Sequence, residues 1–203
     1  MTERGKTILA FSVLGMIMIL GFCLTGGGTE GDPYVRGFCV TGLVFLLMLY
    51  IPNICWGLKK KPEGYEEAAQ RENRTLLMLE RAGEALVTVC VLLFPSVNPS
   101  LRMPARLIFW GSAFVLMLLY EGYWIRYFRS RGTLRDFYSS YAGFPLAGAV
   151  LPVLSALLLG IYSRNLFLLI SAVILGIGHI GIHWGHARDL ENPPEESGEG
   201  DGT

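Results

Sequence analysis

Long apolar runs alternate with short polar segments along this 203-residue chain. Each run is about 20 residues long, the length that an α-helix needs to cross a bilayer core of ~30 Å. Lipid cannot satisfy an unpaired backbone, and a membrane barrel would show ~10-residue stretches of alternating polarity, which this sequence lacks. The pattern therefore predicts an all-α polytopic membrane protein with six transmembrane helices, over residues 7–24, 37–55, 76–94, 104–125, 144–162 and 166–186.

The Lys and Arg residues in the short loops predict the orientation of these helices. With a cytoplasmic N-terminus, twelve of them fall on the inner side and four on the outer side. The inner residues are Arg4, Lys6, Lys59, Lys60, Lys61, Arg71, Arg74, Arg126, Arg129, Arg131, Arg135 and Arg188; the outer residues are Arg36, Arg102, Arg106 and Arg164. Both termini are therefore predicted to be cytoplasmic.

Residues 1–186 are predicted to form a single transmembrane domain. From residue 187 onward the chain is acidic and rich in Gly and Pro, so residues 187–203 are predicted to be a disordered cytoplasmic tail. In the last apolar run, four glycines, Gly176, Gly178, Gly181 and Gly185, predict close contact with neighbouring helices, because small residues let backbones approach in lipid.

Composition supports a membrane protein, since 52% of the residues are hydrophobic and only 17% are charged. The net charge is zero and no strongly basic region stands apart from the membrane boundaries, which argues against a nucleic-acid partner. The expected partners are the lipid bilayer and either a second copy of the chain or another membrane subunit. The expected location is a bacterial cytoplasmic membrane.

The three histidines of the chain, His179, His183 and His186, lie at i, i+4 and i+7 on one face of the last predicted helix. Ionisable residues inside membrane helices are costly and commonly mark functional sites. At ~1.5 Å per residue, His179 and His183 lie within ~10 Å of the cytoplasmic end of their helix. The same arithmetic places three carboxylates on two other helices, those of Glu80, Glu84 and Glu121, within ~12 Å of the cytoplasmic ends.

Imidazole and carboxylate groups in one layer are suited to bind Zn²⁺ or another divalent metal. The predicted ligand set is His179 and His183 with one or two of the three glutamates. His186 lies ~10 Å from His179 along the helix axis, too far to share an ion with it. It is predicted to be an interfacial residue or part of a separate proton path.

A His pair spaced i, i+4 on a late transmembrane helix is similar to that of the adiponectin-receptor and alkaline-ceramidase superfamily of membrane zinc hydrolases. The resemblance covers His179 and His183 only. That superfamily draws a further His and an Asp from earlier helices and usually has seven spans, whereas this chain has no other histidine and six predicted spans.

The loop over residues 126–141 mixes arginines with aromatic residues. This composition is typical of an interfacial belt. The alternative is recognition of a lipid head group or phosphate by Arg126 and Arg129, because a guanidinium fork matches phosphate oxygens.

Three functions remain open at this stage. In the first, the protein is a multi-pass membrane protein of unassigned function, whose cytoplasm-facing Glu/His cluster holds helices together or binds a metal. The second is a metal-dependent hydrolase of a lipid-like substrate, with metal-activated water as the nucleophile. The third is a small proton-coupled transporter or transporter subunit.

Overall fold

The computed structural model describes residues 32–101 and 103–192. The first predicted span, residues 7–24, and most of the predicted tail lie outside these residues. The described part of the chain is helical and contains no β-strand, which confirms the predicted all-α class.

Five long helices and two short ones make up the described structure. In chain order they are α1 (Val40–Lys59), α2 (Tyr65–Ala69), α3 (Arg74–Leu93), α4 (Leu107–Arg129), α5 (Leu134–Phe137), α6 (Ala147–Ser163) and α7 (Leu166–Glu191). Single 3₁₀ turns at Pro95–Val97 and Pro104–Arg106 connect α3 to α4. Proline fits the first position of each turn because its missing N–H needs no partner there.

Side-chain caps define where α3 and α7 begin. The Asn73 side chain accepts hydrogen bonds from the backbone N–H groups of Thr75 and Leu76, at 2.8 and 3.3 Å. The Asn165 side chain accepts from Leu168 N–H at 3.1 Å. Each cap satisfies donors that the first helical turn leaves without a partner.

Three of the helices are long and apolar enough to cross a membrane: α1, α4 together with its preceding 3₁₀ turn, and α7. Helix α6 is a shorter apolar helix. Helix α3 has a sufficient length of 20 residues but carries Glu80, Arg81 and Glu84 near its middle. The described residues therefore show a helical membrane-type protein with three candidate spans.

Three helices continue four or five residues beyond their predicted ends. Helix α1 ends at Lys59 instead of residue 55, α4 at Arg129 instead of residue 125, and α7 at Glu191 instead of residue 186. An apolar run reports only the part of a helix that suits lipid, and the final turns here include charged residues. The prediction of a disordered tail from residue 187 is therefore wrong for residues 187–191.

The long helices pack in a closed ring: α1 contacts α3 and α4, α3 contacts α7, α7 contacts α6, and α6 contacts α4. The α3–α7 contact is the most extensive. A Cβ atom on Gly178 would lie 2.3 Å from the backbone nitrogen of Glu80, and one on Gly83 would lie 2.4 Å from Cα of Leu175. The predicted role of the α7 glycines is confirmed for Gly178 and is wrong for Gly185, which faces open space.

One end of the ring, here called the charged end, collects the C-termini of α1, α4 and α7 and the N-termini of α3 and α6. The Lys60 ammonium donates to the carbonyls of Phe128 and Ser130 at 3.0 and 2.8 Å, which joins the α1 and α4 termini. At the opposite end, Gly37 N–H donates to Leu93 O and the Tyr162 hydroxyl donates to Asn98 O. These uncharged hydrogen bonds close the opposite end.

Helices α1 and α3 diverge toward the charged end. Near the opposite end they touch, since a Cβ on Gly42 would lie 1.7 Å from the Val91 carbonyl oxygen. Farther along, the Tyr50 hydroxyl and Thr88 Oγ1 form a hydrogen bond of 2.7 Å. Gly57, near the end of α1, has open space beside it. The divergence leaves room for a cavity between these helices.

Candidate functional site

A cavity of about 280 Å³ lies inside the ring at the charged end. All five long helices contribute to its wall, and the two short helices add Tyr65 and Phe137. Four of the residues that the sequence singled out line it: Glu80, Glu84, His179 and His183. Four ionisable residues that were predicted to lie at a similar depth thus line one cavity.

Glu80 and His179 form the central pair of this site. Oε1 of Glu80 lies 2.5 Å from Nδ1 of His179, and the side chains are 12% and 23% exposed. The backbones of α3 and α7 touch at the same level through Gly178, so the two side chains have little freedom to separate. A hydrogen bond with an ionised partner and limited water access is stronger than one on the surface.

His183 lies beside His179 and is surrounded by aromatic rings. The two imidazole centroids are 4.6 Å apart. Phe137 and Tyr138 pack against His183 at centroid distances of 5.6 and 5.2 Å. His183 is only 8% exposed, and its Nδ1 has no hydrogen-bond partner among the described residues.

His186 contacts two residues of the cavity wall, Glu72 and Tyr138. It is 7% exposed, and its Nε2 lies 3.0 Å from Oε1 of Glu72. The Tyr138 ring stacks on His186 at 5.1 Å and meets His183 edge-on. Glu72, His186, Tyr138, His183, His179 and Glu80 therefore form one continuous series of contacts, here called the histidine row.

Glu84 lines the cavity but makes a different contact. Its carboxylate pairs with the Arg81 guanidinium at 3.2 Å, and the side chains are 36% and 70% exposed. Both residues line the cavity where α1 and α3 diverge, together with Tyr50. This is the side on which the cavity reaches the surface.

Glu121 is fully buried on α4 and is not part of the cavity wall. Tyr120 and Trp124, spaced i and i+4, are the α4 residues that face the cavity, and Glu121 lies about 100° around the helix from Tyr120. Glu121 was predicted at a depth similar to that of Glu80 and Glu84, but it does not line the cavity.

The predicted metal centre receives no support from this geometry. Within the described ranges, no group of three or more His, Cys, Asp and Glu side chains is arranged to hold a metal ion. The carboxylate of Glu80 is engaged by His179, that of Glu84 by Arg81, and His183 faces aromatic rings. A first coordination shell requires several donors that converge on one point, and these contacts do not provide that convergence.

Aromatic side chains form much of the cavity wall. Trp56 stacks on Phe137 at 5.0 Å, and Tyr65 meets both rings edge-on. Burial, followed by the negative charges of Glu72 and Glu80, raises the pKa of Tyr65 to about 12. Tyr65 is therefore a neutral hydroxyl in a negative environment.

Arg126 and Arg129 lie on the last turns of α4 and not in a loop. The Arg126 guanidinium donates to the Ser140 carbonyl at 2.7 Å and to the Ser139 hydroxyl. It also lies over the rings of Tyr123 and Tyr141, at 5.4 Å from each. Arg126 thus holds the segment after α5 against α4, whereas Arg129 is exposed beside a shallow surface depression.

The residues that the sequence did not reveal are Glu72 and the aromatic wall. Glu72 lies two residues before α3, in a polar segment outside the apolar runs. Counting ~1.5 Å per residue backwards from the start of the apolar run at residue 76 would have placed Glu72 at the level of His186. The aromatic residues are scattered over α1, α2, α4 and the segment around α5, so no local spacing indicates that they meet.

Comparisons with models of known protein families, with curated proteins and with solved structures find no match to this chain.

Proposed function

We propose that this protein is a small proton-coupled membrane transporter or transporter subunit, in which the cavity binds a solute in exchange for a proton held by the Glu80–His179 pair. It has six spans and cytoplasmic termini, in a bacterial cytoplasmic membrane. The three candidate spans and α6 support the multi-pass part of this proposal, and α3 and the apolar residues 7–24 complete the count. The Lys and Arg residues of the charged end support the orientation.

The histidine row is the observation that carries the proposal. It runs from Glu72, in the segment between α2 and α3, to Glu80 on the cavity wall. Imidazole changes charge within the physiological pH range and offers two nitrogens for proton transfer. A row of three imidazoles with a carboxylate at each end supports uptake and release of a proton along the cavity wall.

The Glu80–His179 pair provides the coupling. A proton on His179 Nδ1 compensates the Glu80 carboxylate within their hydrogen bond. A solute that contacts the same carboxylate competes with that bond and favours release of the proton. The balance also depends on other titratable or charged groups of the cavity and the histidine row, namely Tyr65, Glu72, Arg81, Glu84, Tyr120, Tyr138, His183 and His186.

A purely structural role is the competing function, because the pair sits at the tightest contact between α3 and α7. In that case the pair fixes the register of two helices and exchanges no proton with solvent. Glu80→Gln would then change stability and nothing else.

Nuclear magnetic resonance of ¹⁵N-labelled histidine separates the two functions. The chain has three histidines, so protein in lipid nanodiscs gives three sets of ring signals, assigned by single substitutions. We expect the His179 ring signals to change with pH in the wild-type protein, and Glu80→Gln to alter that pH dependence, because the carboxylate is the partner of the exchanged proton. Glu67→Gln, on the exposed face of α2, is the matched control and should leave all three unchanged.

Two results of this experiment would overturn the proposal. Ring signals that stay constant over the pH range in the wild-type protein would overturn the proposal. A pH dependence of the His179 signals that is unchanged in Glu80→Gln would overturn it as well, because the carboxylate would then take no part in holding the proton.

A further inference from the structure

We propose that the solute is a small organic cation, an ammonium group carrying alkyl substituents, held by the aromatic and carboxylate walls of the cavity. This inference rests on the proposed function, since it names the solute that the Glu80–His179 pair would exchange for a proton.

The cavity wall is rich in aromatic residues. The cavity is lined by two tryptophans, Trp56 and Trp124, by four tyrosines, Tyr50, Tyr65, Tyr120 and Tyr138, and by Phe137. The face of an aromatic ring attracts a cation, tryptophan most strongly, and groups of such rings recognise alkylated ammonium ligands. A neutral apolar ligand would need the same surface but no carboxylates beside it.

The charge of the wall is the second argument. Glu72, Glu80 and Glu84 line the cavity, and Arg81 is the single Lys or Arg side chain among its described lining residues. Arg81 is 70% exposed and already pairs with Glu84. The inner wall is therefore negative, and the effect of Glu72 and Glu80 on the pKa of Tyr65 has the sign expected for such an environment.

Lys61 provides the third argument, since an ammonium group of the protein itself lies over the rim of this wall. Its Nζ is 5.8 Å from the ring centroids of both Trp56 and Tyr65. The same nitrogen pairs with Glu66 at 2.7 Å. Two rings of the wall thus already accept a cation at a position open to solvent.

Polar atoms suited to the hydroxyl group of choline are also present. The unpartnered Nδ1 belongs to His183, which lines the cavity and is more than nine-tenths buried. Pro152 has no N–H to give to the Gly148 carbonyl four residues earlier, and both residues line the cavity. An imidazole nitrogen can donate to or accept from a hydroxyl group, and a helix carbonyl without its usual partner can accept from one.

The size of the cavity limits the ligand. At about 280 Å³ it lies just below the range of ~300–1,000 Å³ that is usual for drug-sized ligands. A compact ammonium compound such as choline or tetraethylammonium fits this limit, whereas a peptide or a nucleotide does not.

Isothermal titration calorimetry of the full-length protein in lipid nanodiscs tests the inference. The probes are choline, tetraethylammonium and 3,3-dimethyl-1-butanol, the neutral carbon analogue of choline. We expect saturable binding of both cations and binding of the neutral analogue that is weaker by ~10-fold or more, the effect expected for buried cation–π and carboxylate contacts together. Equal binding of choline and its analogue, or no binding of either cation, would overturn the inference.

Variants locate the binding to the cavity. Trp56→Leu should weaken choline binding and leave the neutral analogue unaffected, while Trp184→Leu, at an exposed tryptophan of α7, should change neither. Trp56→Phe keeps a ring and should give an intermediate loss, which preserves the test if Trp56→Leu does not fold. Choline affinity that is unchanged in both Trp56 variants would contradict the proposed site.

The two proposals fail separately. Cation binding that is lost in Glu80→Gln while the histidine signals do not titrate would overturn the proton coupling and support the cation site. His179 signals whose pH dependence changes in Glu80→Gln, without any cation binding, would overturn the cation site and leave the proton coupling in place.

Discussion

The Glu80 carboxylate accepts a hydrogen bond from Nδ1 of His179 at 2.5 Å, although the two residues are 99 positions apart in the chain. The contact exists because Gly178, the neighbour of His179, allows the backbone of α7 to lie directly against Glu80. Helix packing and site geometry therefore depend on the same residue.

Gly178→Ala is expected to lower the free energy of unfolding by about 1–3 kcal/mol, the usual effect of overpacking. The added Cβ would lie 2.3 Å from the Glu80 backbone nitrogen, which cannot move aside as a flexible side chain would. Gly185→Ala is the matched control on the same helix, because nothing lies within 4 Å of its added Cβ. It should be neutral or stabilise the helix by up to about 1 kcal/mol. Denaturant unfolding in detergent measures both, and equal effects of the two variants would contradict the close contact.

Glu72 and His186 should show a measurable coupling energy. Their side chains are 11% and 7% exposed, so loss of either partner leaves the other buried without its hydrogen bond. A double-mutant cycle with Glu72→Gln and His186→Asn should give a coupling of about 0.5–3 kcal/mol. The exposed pair Lys61–Glu66 serves as the comparison and should give about 1 kcal/mol or less. A coupling no larger than that of the exposed pair would remove Glu72 from the histidine row.

The contribution of Asp136 to stability should disappear in acid. Hydrogen bonds from the backbone and side chain of Thr133 hold the pKa of Asp136 below its ordinary value. A carboxyl group whose pKa is lowered by folding stabilises the protein above the unfolded pKa, and this contribution is lost as the pH falls through the folded pKa. Asp136→Asn should therefore destabilise the protein at neutral pH and have a smaller effect in acid. Unfolding titrations at both pH values measure the difference, and a pH-independent effect of the variant would contradict the assignment.

Arg126→Lys should loosen the segment that follows α5. The Arg126 guanidinium bonds two residues and lies between two tyrosine rings, and a lysine ammonium cannot reproduce this planar arrangement. Hydrogen exchange followed by mass spectrometry should show faster exchange over residues 130–146. Arg129→Lys, one turn later and exposed, should leave the exchange unchanged. If both variants instead reduce binding to anionic vesicles without faster exchange, the original prediction of a lipid contact is correct.

Lys61→Gln should strengthen the binding of choline by a few-fold, the effect of removing one exposed cation–π competitor. The Lys61 ammonium lies over Trp56 and Tyr65, the rings that choline would contact at the rim. Lys59→Gln removes the same charge two residues earlier and should change the affinity less. Calorimetric titration of the two variants with choline makes the comparison. An equal change in both would indicate a general charge effect and no competition for the rings.

The five long helices were largely predictable from the sequence because each contains an apolar run. The final turns of α1, α4 and α7 were missed, since hydrophobicity marks the lipid-facing part of a helix and not its end. The rotation of each helix was less predictable. The glycines of α7 indicated the helix packing that brings Glu80 and His179 together. The burial of Glu121 away from the cavity depends on which face of α4 turns toward α1, and no local pattern in the sequence indicates that face.

The composition of the site was only partly predictable. The common depth of Glu80, Glu84, His179 and His183 follows from counting residues along straight helices, and these residues do line one cavity. The partner of each side chain does not follow from its depth. Glu80 contacts His179, Glu84 contacts Arg81, and His183 contacts aromatic rings, whereas a metal site requires donors that converge on one point. Glu72 was missed because a search confined to apolar runs does not include the segments that connect them.

The backbone contact between α3 and α7 also restricts how the cavity can change shape. Interlocked glycine contacts leave these two helices little room to slide, so Glu80 and His179 keep their separation when the cavity changes shape. Helix α1 contacts α3 closely near Gly42 and is held at the charged end by Lys60. Release of the Lys60 contacts would let α1 rock about the Gly42 contact and widen the cavity without disturbing the Glu80–His179 pair.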